Sequence, residues 1–95
     1  MTTNINKLRT LYDMQVHTAK KVDTLLSNHL PFGYTKVIKE RALSKGLLLK
    51  TQRVREVKSL LQKDLQILNL LIEFAQENQA VAEAGEKKLK SLLEN

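Results

Sequence analysis

Apolar positions change their spacing along the chain, and each change marks an element. Ile5, Leu8, Tyr12, Ala19, Val22 and Leu26 follow a three-four spacing, with Leu11, Val16 and Leu25 widening the stripe and Gln15 interrupting it. One face of a helix has this spacing. It predicts a first helix of about 24 residues, capped by Asn4 and ending near Ser27 or Asn28. Pro31 then fixes its own φ and disfavours helix in the residue before it, and Gly33 gives a free bend. Tyr34, Val37, Ile38 and Ala42 recur on one face of the next helix, with Thr35, Lys36, Lys39 and Glu40 opposite. Gly46 suits the left-handed residue that ends a helix. Leu47-Leu48-Leu49 reads as a plug under the helices, with a short strand or an early helical turn as alternatives. Thr51 is the expected N-cap of a second short helix. Its Val54, Val57 and Leu61 face inward, leaving Gln52, Arg53, Arg55, Glu56 and Lys58 outside.

No Gly or Pro occurs from Leu47 to Ala84, so one helix over about 51–84 is possible. A break near Lys63-Asp64 is favoured, because Asp64 is a good N-cap and the apolar face widens there. Leu65, Ile67, Leu68, Leu70, Leu71, Ile72, Phe74 and Ala75 surround most of the helix. A girdle like this sits in the centre of a core or in an oligomer interface. Gly85 is expected to interrupt the last helix, leaving Glu86–Glu94 as a weak amphipathic tail on Leu89, Leu92 and Leu93. The expected fold is one all-α domain of four or five helices. A helix-turn-helix at about residues 33–63 lies between a long N-terminal and a long C-terminal helix.

Composition agrees: the 95 residues are 42% apolar but only 4% aromatic, with one Pro and three Gly. A chain this short buries only about 60–65% of its unfolded surface, which favours a homodimer, through the 65–75 girdle or the first helix. Without Cys there is no disulfide, thiolate metal site or Cys nucleophile. The first residues lack a signal-peptide core, and no apolar run is long enough to span a bilayer. The expectation is a cytoplasmic, nucleoid-associated protein with no membrane partner.

Charge placement says more than the net +6. Residues 1–33 carry +2, residues 34–63 carry +7 and residues 64–95 carry −3. The excess falls on the helix pair that pattern alone had marked, and cations gathered on one face attract phosphate backbones.

Catalytic signatures are missing: there is no Walker loop, H-E-x-x-H, G-x-S-x-G or G-x-G-x-x-G. Glu73 and Glu77 stand one helical turn apart and read as a solvated stripe. Asp13 with His17 offers only two metal ligands, and His17 and His29 read as surface residues. The expectation is a protein that is not an enzyme, with no cofactor, no metal and no small-molecule substrate.

The stretch from Leu30 onward resembles the helix-turn-helix of small bacterial and phage DNA-binding proteins of the repressor type. Leu30-Pro31, Gly33-Tyr34, Lys36 and Ile38 match its first helix, and Val54 and Val57 match its second. Ile67-Leu68, Leu71-Ile72 and Ala75 match the helix that follows. The connection from Leu43 to Lys50 is longer than the usual turn of about three or four residues. Gln62-Lys63-Asp64 stands where a Gly- or Asn-containing break is usual. The resemblance implies a regulator whose second helix enters the major groove of double-stranded DNA. Gln52, Arg53, Arg55 and Glu56 would then meet base edges, Gln pairing with adenine and Arg with guanine. Glu56 would accept from cytosine or orient Arg53 or Arg55. Lys36, Lys39, Lys50, Thr51, Lys58 and Lys63 would meet phosphates.

The alternative is a helical, coiled-coil-type assembly protein whose basic face binds an acidic partner. A straight rod over 51–84 would favour it. RNA binding is a weaker third reading, since two Phe and two Tyr leave little to stack bases on.

Overall fold

The computed structural model describes residues 2–94, and five α-helices account for most of them. They are α1 (Thr2–Tyr12), α2 (Val16–Asn28), α3 (Tyr34–Ser44), α4 (Thr51–Lys58) and α5 (Leu65–Leu93). No strand occurs among the described residues. α2, α3 and α4 all pack on α5, while α1 packs on α2.

The expected long first helix is instead two. Asp13 sits at φ 55°, in the left-handed region, and Gln15 is extended at ψ 157°. Asp is one of the few residues that visits this region readily. The turn lets α2 fold back, so Leu8 of α1 and Ala19, Val22 and Leu26 of α2 all reach one core. Neither side of the break was legible as a terminus because both stripes share the same three-four spacing. Val16, expected to widen the stripe, is exposed. Asn4 lies inside α1 and is not its cap; its Nδ2 donates to Asp23 Oδ1 at a long 3.4 Å.

α3 ends as its glycine dictates. Gly46 takes φ 84°. Its N–H donates to the Leu43 carbonyl at 2.9 Å, and the Leu47 N–H donates to the Ala42 carbonyl at 2.8 Å. These paired bonds satisfy the last carbonyls of the helix. In the connection Leu47 and Leu49 pack against the core, but Leu48 is 89% exposed, so the apolar triplet plugs the core only in part.

α4 closes with the same pair of bonds but no glycine. Leu60 stands at φ 63°, its N–H donating to the Val57 carbonyl at 3.1 Å, while the Leu61 N–H donates to the Glu56 carbonyl at 2.9 Å. Left-handed backbone costs a residue with a Cβ roughly 1–2 kcal/mol. Burial of the Leu60 side chain, which is 7% exposed, offsets this by about 1.5–3 kcal/mol. The reversal also corrects the expected core list: Leu60 is inside and Leu61 is 68% exposed.

Asp64 starts α5 and ties three helices together. Its Oδ1 accepts the Ile67 N–H at 3.1 Å as an N-cap. Its Oδ2 meets Arg53 Nη2 of α4 at 3.2 Å, and its own N–H donates to Tyr12 Oη of α1 at 2.9 Å. The expected break near Lys63-Asp64 is therefore present, and a straight rod over 51–84 is not.

α5 has two halves of different character. Ile67, Leu68, Leu70, Leu71 and Ala75 are buried by the chain's own helices and Ile72 and Phe74 are half-buried against the same core, so most of the girdle is core, while Leu65 is 57% exposed. From Ala80 to Leu93 every residue is exposed, a rod of about 20 Å. Gly85 does not interrupt it. Glycine inside a helix costs about 1 kcal/mol relative to alanine, yet extending a helix already nucleated by a docked half needs no new nucleus. The surrounding Ala, Glu and Lys residues are strong helix formers.

Candidate nucleic-acid interface

α3 and α4 pack against each other and on α5, with Ile38, Ala42, Val54 and Val57 buried between them. Val54 and Val57 fix which way the eight-residue α4 faces. Gln52, Arg55 and Ser59, at intervals of three and four, lie on the opposite, exposed side.

The four residues expected at base edges do not share one edge. Gln52 and Arg55 are exposed. Arg53 turns sideways into its ion pair with Asp64, its side chain 39% exposed. Glu56 orients neither arginine: its Oε2 accepts from Gln62 Nε2 at 2.6 Å. That contact exists only because the Leu60 reversal brings Gln62 back toward α4, and helical spacing could not have indicated it.

Of the expected phosphate contacts, Lys36, Lys39 and Thr51 line one hollow and Lys58 another. Thr51 is the first residue of α4 and not its N-cap; Lys50 occupies that position, without a side-chain bond. The Thr51 hydroxyl instead accepts from Lys39 Nζ at 3.1 Å, joining α3 to the start of α4. Lys36, Lys50 and Lys63 are exposed. Lys58 Nζ lies 5.7 Å from the centre of the Tyr34 ring, within cation–π range. Burial raises the Tyr34 hydroxyl pKa above its usual value, against the smaller opposing effect of the Arg55 charge. Tyr34 is therefore a neutral phenol at neutral pH.

Two hollows flank the helix pair. One, of about 320 Å³, includes Thr35, Lys36, Lys39, Leu48 and Thr51 in its lining. The other, of about 590 Å³, includes Phe32, Tyr34, Thr35, Arg55 and Lys58. Thr35 lines both, so they adjoin. Phe32 is fully exposed at the rim of the second, held out between Pro31 and Gly33. Its position next to Arg55 and Lys58 was not legible in the sequence, although the Pro-x-Gly frame was.

Nine cationic residues lie between positions 34 and 63. Among the described residues only Arg41 and Arg53 form ion pairs. Lys36, Lys39, Lys45, Lys50, Arg55, Lys58 and Lys63 keep their charge uncompensated by a direct carboxylate contact. Arg41 is committed elsewhere, gripping Glu77 with both nitrogens at 2.6 and 2.7 Å while its guanidinium sits 5.0 Å from the Phe74 ring centre. Glu77 thus fastens α3 to α5 while staying 56% exposed, on the solvated stripe it shares with Glu73. Its hydrogen bond to Arg41 holds its pKa below the ordinary carboxylate value, and the same bond raises that of Arg41.

Among the described residues no cluster of His, Asp or Glu could hold a metal ion, and no helix is long and apolar enough to cross a membrane. No protein-family model, no curated protein and no solved structure matches this chain.

Proposed function

We propose that this protein binds double-stranded DNA as a sequence-specific transcriptional regulator, presenting α4 to the major groove. The observation that carries the reading is that seven of the nine cations between positions 34 and 63, on α3, α4 and the segments joined to them, have no carboxylate partner. Helix α4 is anchored on one face by Val54 and Val57. In this reading Gln52 and Arg55 meet base edges. Lys36, Lys39, Lys50, Lys58 and Lys63 meet phosphates on the flanks. Arg53 holds α4 against the start of α5 through Asp64, and Glu56 positions the turn after α4 through Gln62.

The test is retention on duplex DNA across a salt series. Contact with about four phosphates gives a log–log slope near −4. Arg55→Ala should weaken binding by roughly 1–3 kcal/mol and relax the choice at one base pair. Lys50→Ala should weaken binding to all sequences alike. Unchanged affinity for every duplex in both variants removes α4 from the interface. The second reading, a helical assembly protein with a basic face, draws its support from the exposed end of α5; retention of an acidic protein but not of duplex DNA would select it.

A further inference from the structure

The exposed half of α5 carries an apolar seam with nothing against it. Leu68, Leu71 and Ala75 lie on a four-three alternation and are buried. The same alternation continues without a slip through Asn78, Ala82, Gly85, Leu89 and Leu92, the a/d spacing of a coiled coil. Leu89 and Leu92 are 56% and 65% exposed, and Val81 and Leu93 flank them at 71% and 77%. The core-facing stripe of α5 therefore runs on into solvent after the other helices have ended.

Gly85 sits on this seam, and nothing lies within 4 Å of where its Cβ would be. No turn, positive φ or close neighbour within the chain accounts for a glycine there. A second helix approaching that point would account for it.

The order of side chains along the seam identifies the second helix. Small residues, Ala82 and Gly85, come first, and large ones, Leu89 and Leu92, come last. Laid antiparallel on a copy of itself over residues 80–94, the segment sets Leu89 of each copy opposite Gly85 of the other. Leu92 then falls opposite Ala82. Large meets small at every layer, the condition for a filled interface. A parallel pair would set glycine on glycine and leucine on leucine, leaving a gap at one end. An antiparallel pair has a two-fold axis, so the contact closes on itself and ends at two copies.

We propose that two copies of this chain pair antiparallel through residues 80–93 of α5, with Leu89 of each seated on Gly85 of the other. The contact does not rest on the DNA reading and is measured without DNA. Fourteen residues of helix present less surface than the roughly 800 Å² per partner of a standard interface. The dissociation constant is therefore expected on the order of 10–100 µM.

Sedimentation equilibrium from about 10 to about 500 µM tests the proposal. The expected result is reversible dimerisation, weakened at least about tenfold by Leu89→Glu with an unchanged helical signal, since Leu89 is exposed and outside the core. The chain has no cysteine, so orientation can be tested by cross-linking. A mixture of Gly85→Cys and Leu89→Cys chains should form the mixed disulfide dimer under oxidation, while each variant alone cross-links several-fold more slowly. A monomer at the highest concentration overturns the proposal, as does a dimer indifferent to Leu89→Glu. Gly85→Cys cross-linking to itself as fast as in the mixture overturns the antiparallel arrangement.

Discussion

The two halves of α5 are one uninterrupted helix with one apolar seam, yet they meet opposite surroundings. The N-terminal half is covered by α2, α3 and α4 and contributes five buried side chains. The C-terminal half contributes none. An apolar seam therefore does not by itself make a core; the neighbours decide, and here they stop at about residue 79. The first half of α5 holds the fold and aims α4, and the second half is free to meet another molecule without disturbing either.

The largest test of this division is a matched pair of truncations. Leu71 is fully buried, and Leu71→Ala should cost about 2–5 kcal/mol through lost transfer energy and a residual cavity. Leu89→Ala should change monomer stability by less than about 0.5 kcal/mol. Urea denaturation at low protein concentration measures both. Equal losses would mean that the second half packs against the body of the molecule.

The same contrast shows what the residues alone made legible. The all-α class, a helix pair within about 33–63, the Gly46 terminus and the Asp64 cap all follow from local rules of spacing and capping, and all are present, although the second helix of the pair ends at Lys58. What stayed hidden depends on tertiary context. Asp13 and Leu60 reverse the chain without glycine, because side chains beyond the turn gain burial that outweighs the strained backbone. Gly85 looked like an interruption, but a helix seeded by a docked half runs through it. Within the candidate site, the spacing of α4 placed Gln52 and Arg55 outside correctly. The sideways turn of Arg53 toward Asp64 was not legible, because Asp64 comes close only once α5 folds back along α4.

Asp64 offers an intermediate test, because it serves the covered half in two separable ways. Asp64→Ala removes both the N-cap and the partner of Arg53, and should cost about 1–2 kcal/mol. Asp64→Asn keeps a capping side chain and removes only the charge opposite Arg53, so its cost should stay below about 1 kcal/mol. In the DNA reading the Asn variant releases Arg53 to phosphate and steepens the salt slope by about one. An unchanged slope would leave Arg53 with a purely structural part.

A smaller effect separates the halves at Gly85. Gly85→Ala should strengthen the helix locally by about 1 kcal/mol. Below the dimerisation range, hydrogen exchange of amides near residues 81–89 should slow by about fivefold. The global unfolding midpoint should not move, because that segment opens independently of the core. A rise in the global midpoint would show that the exposed half unfolds together with the rest.

The smallest effect lies where the two halves meet, at the Arg41–Glu77 pair. The folded-state pKa of Glu77 is lowered chiefly by its hydrogen bond to Arg41. A lowered carboxylate binds its proton less readily in the folded chain than in the unfolded one. Its stabilisation is thus fully present above the ordinary glutamate pKa and fades as pH falls through the lowered folded value. The pair is substantially exposed, so solvent screening keeps its contribution small. A titration of the Glu77 side-chain carboxyl by NMR should give a midpoint below the ordinary glutamate value, and Arg41→Gln should raise it. If the Glu77 midpoint is the same with and without the Arg41 guanidinium, the clasp between α3 and α5 is not closed in solution.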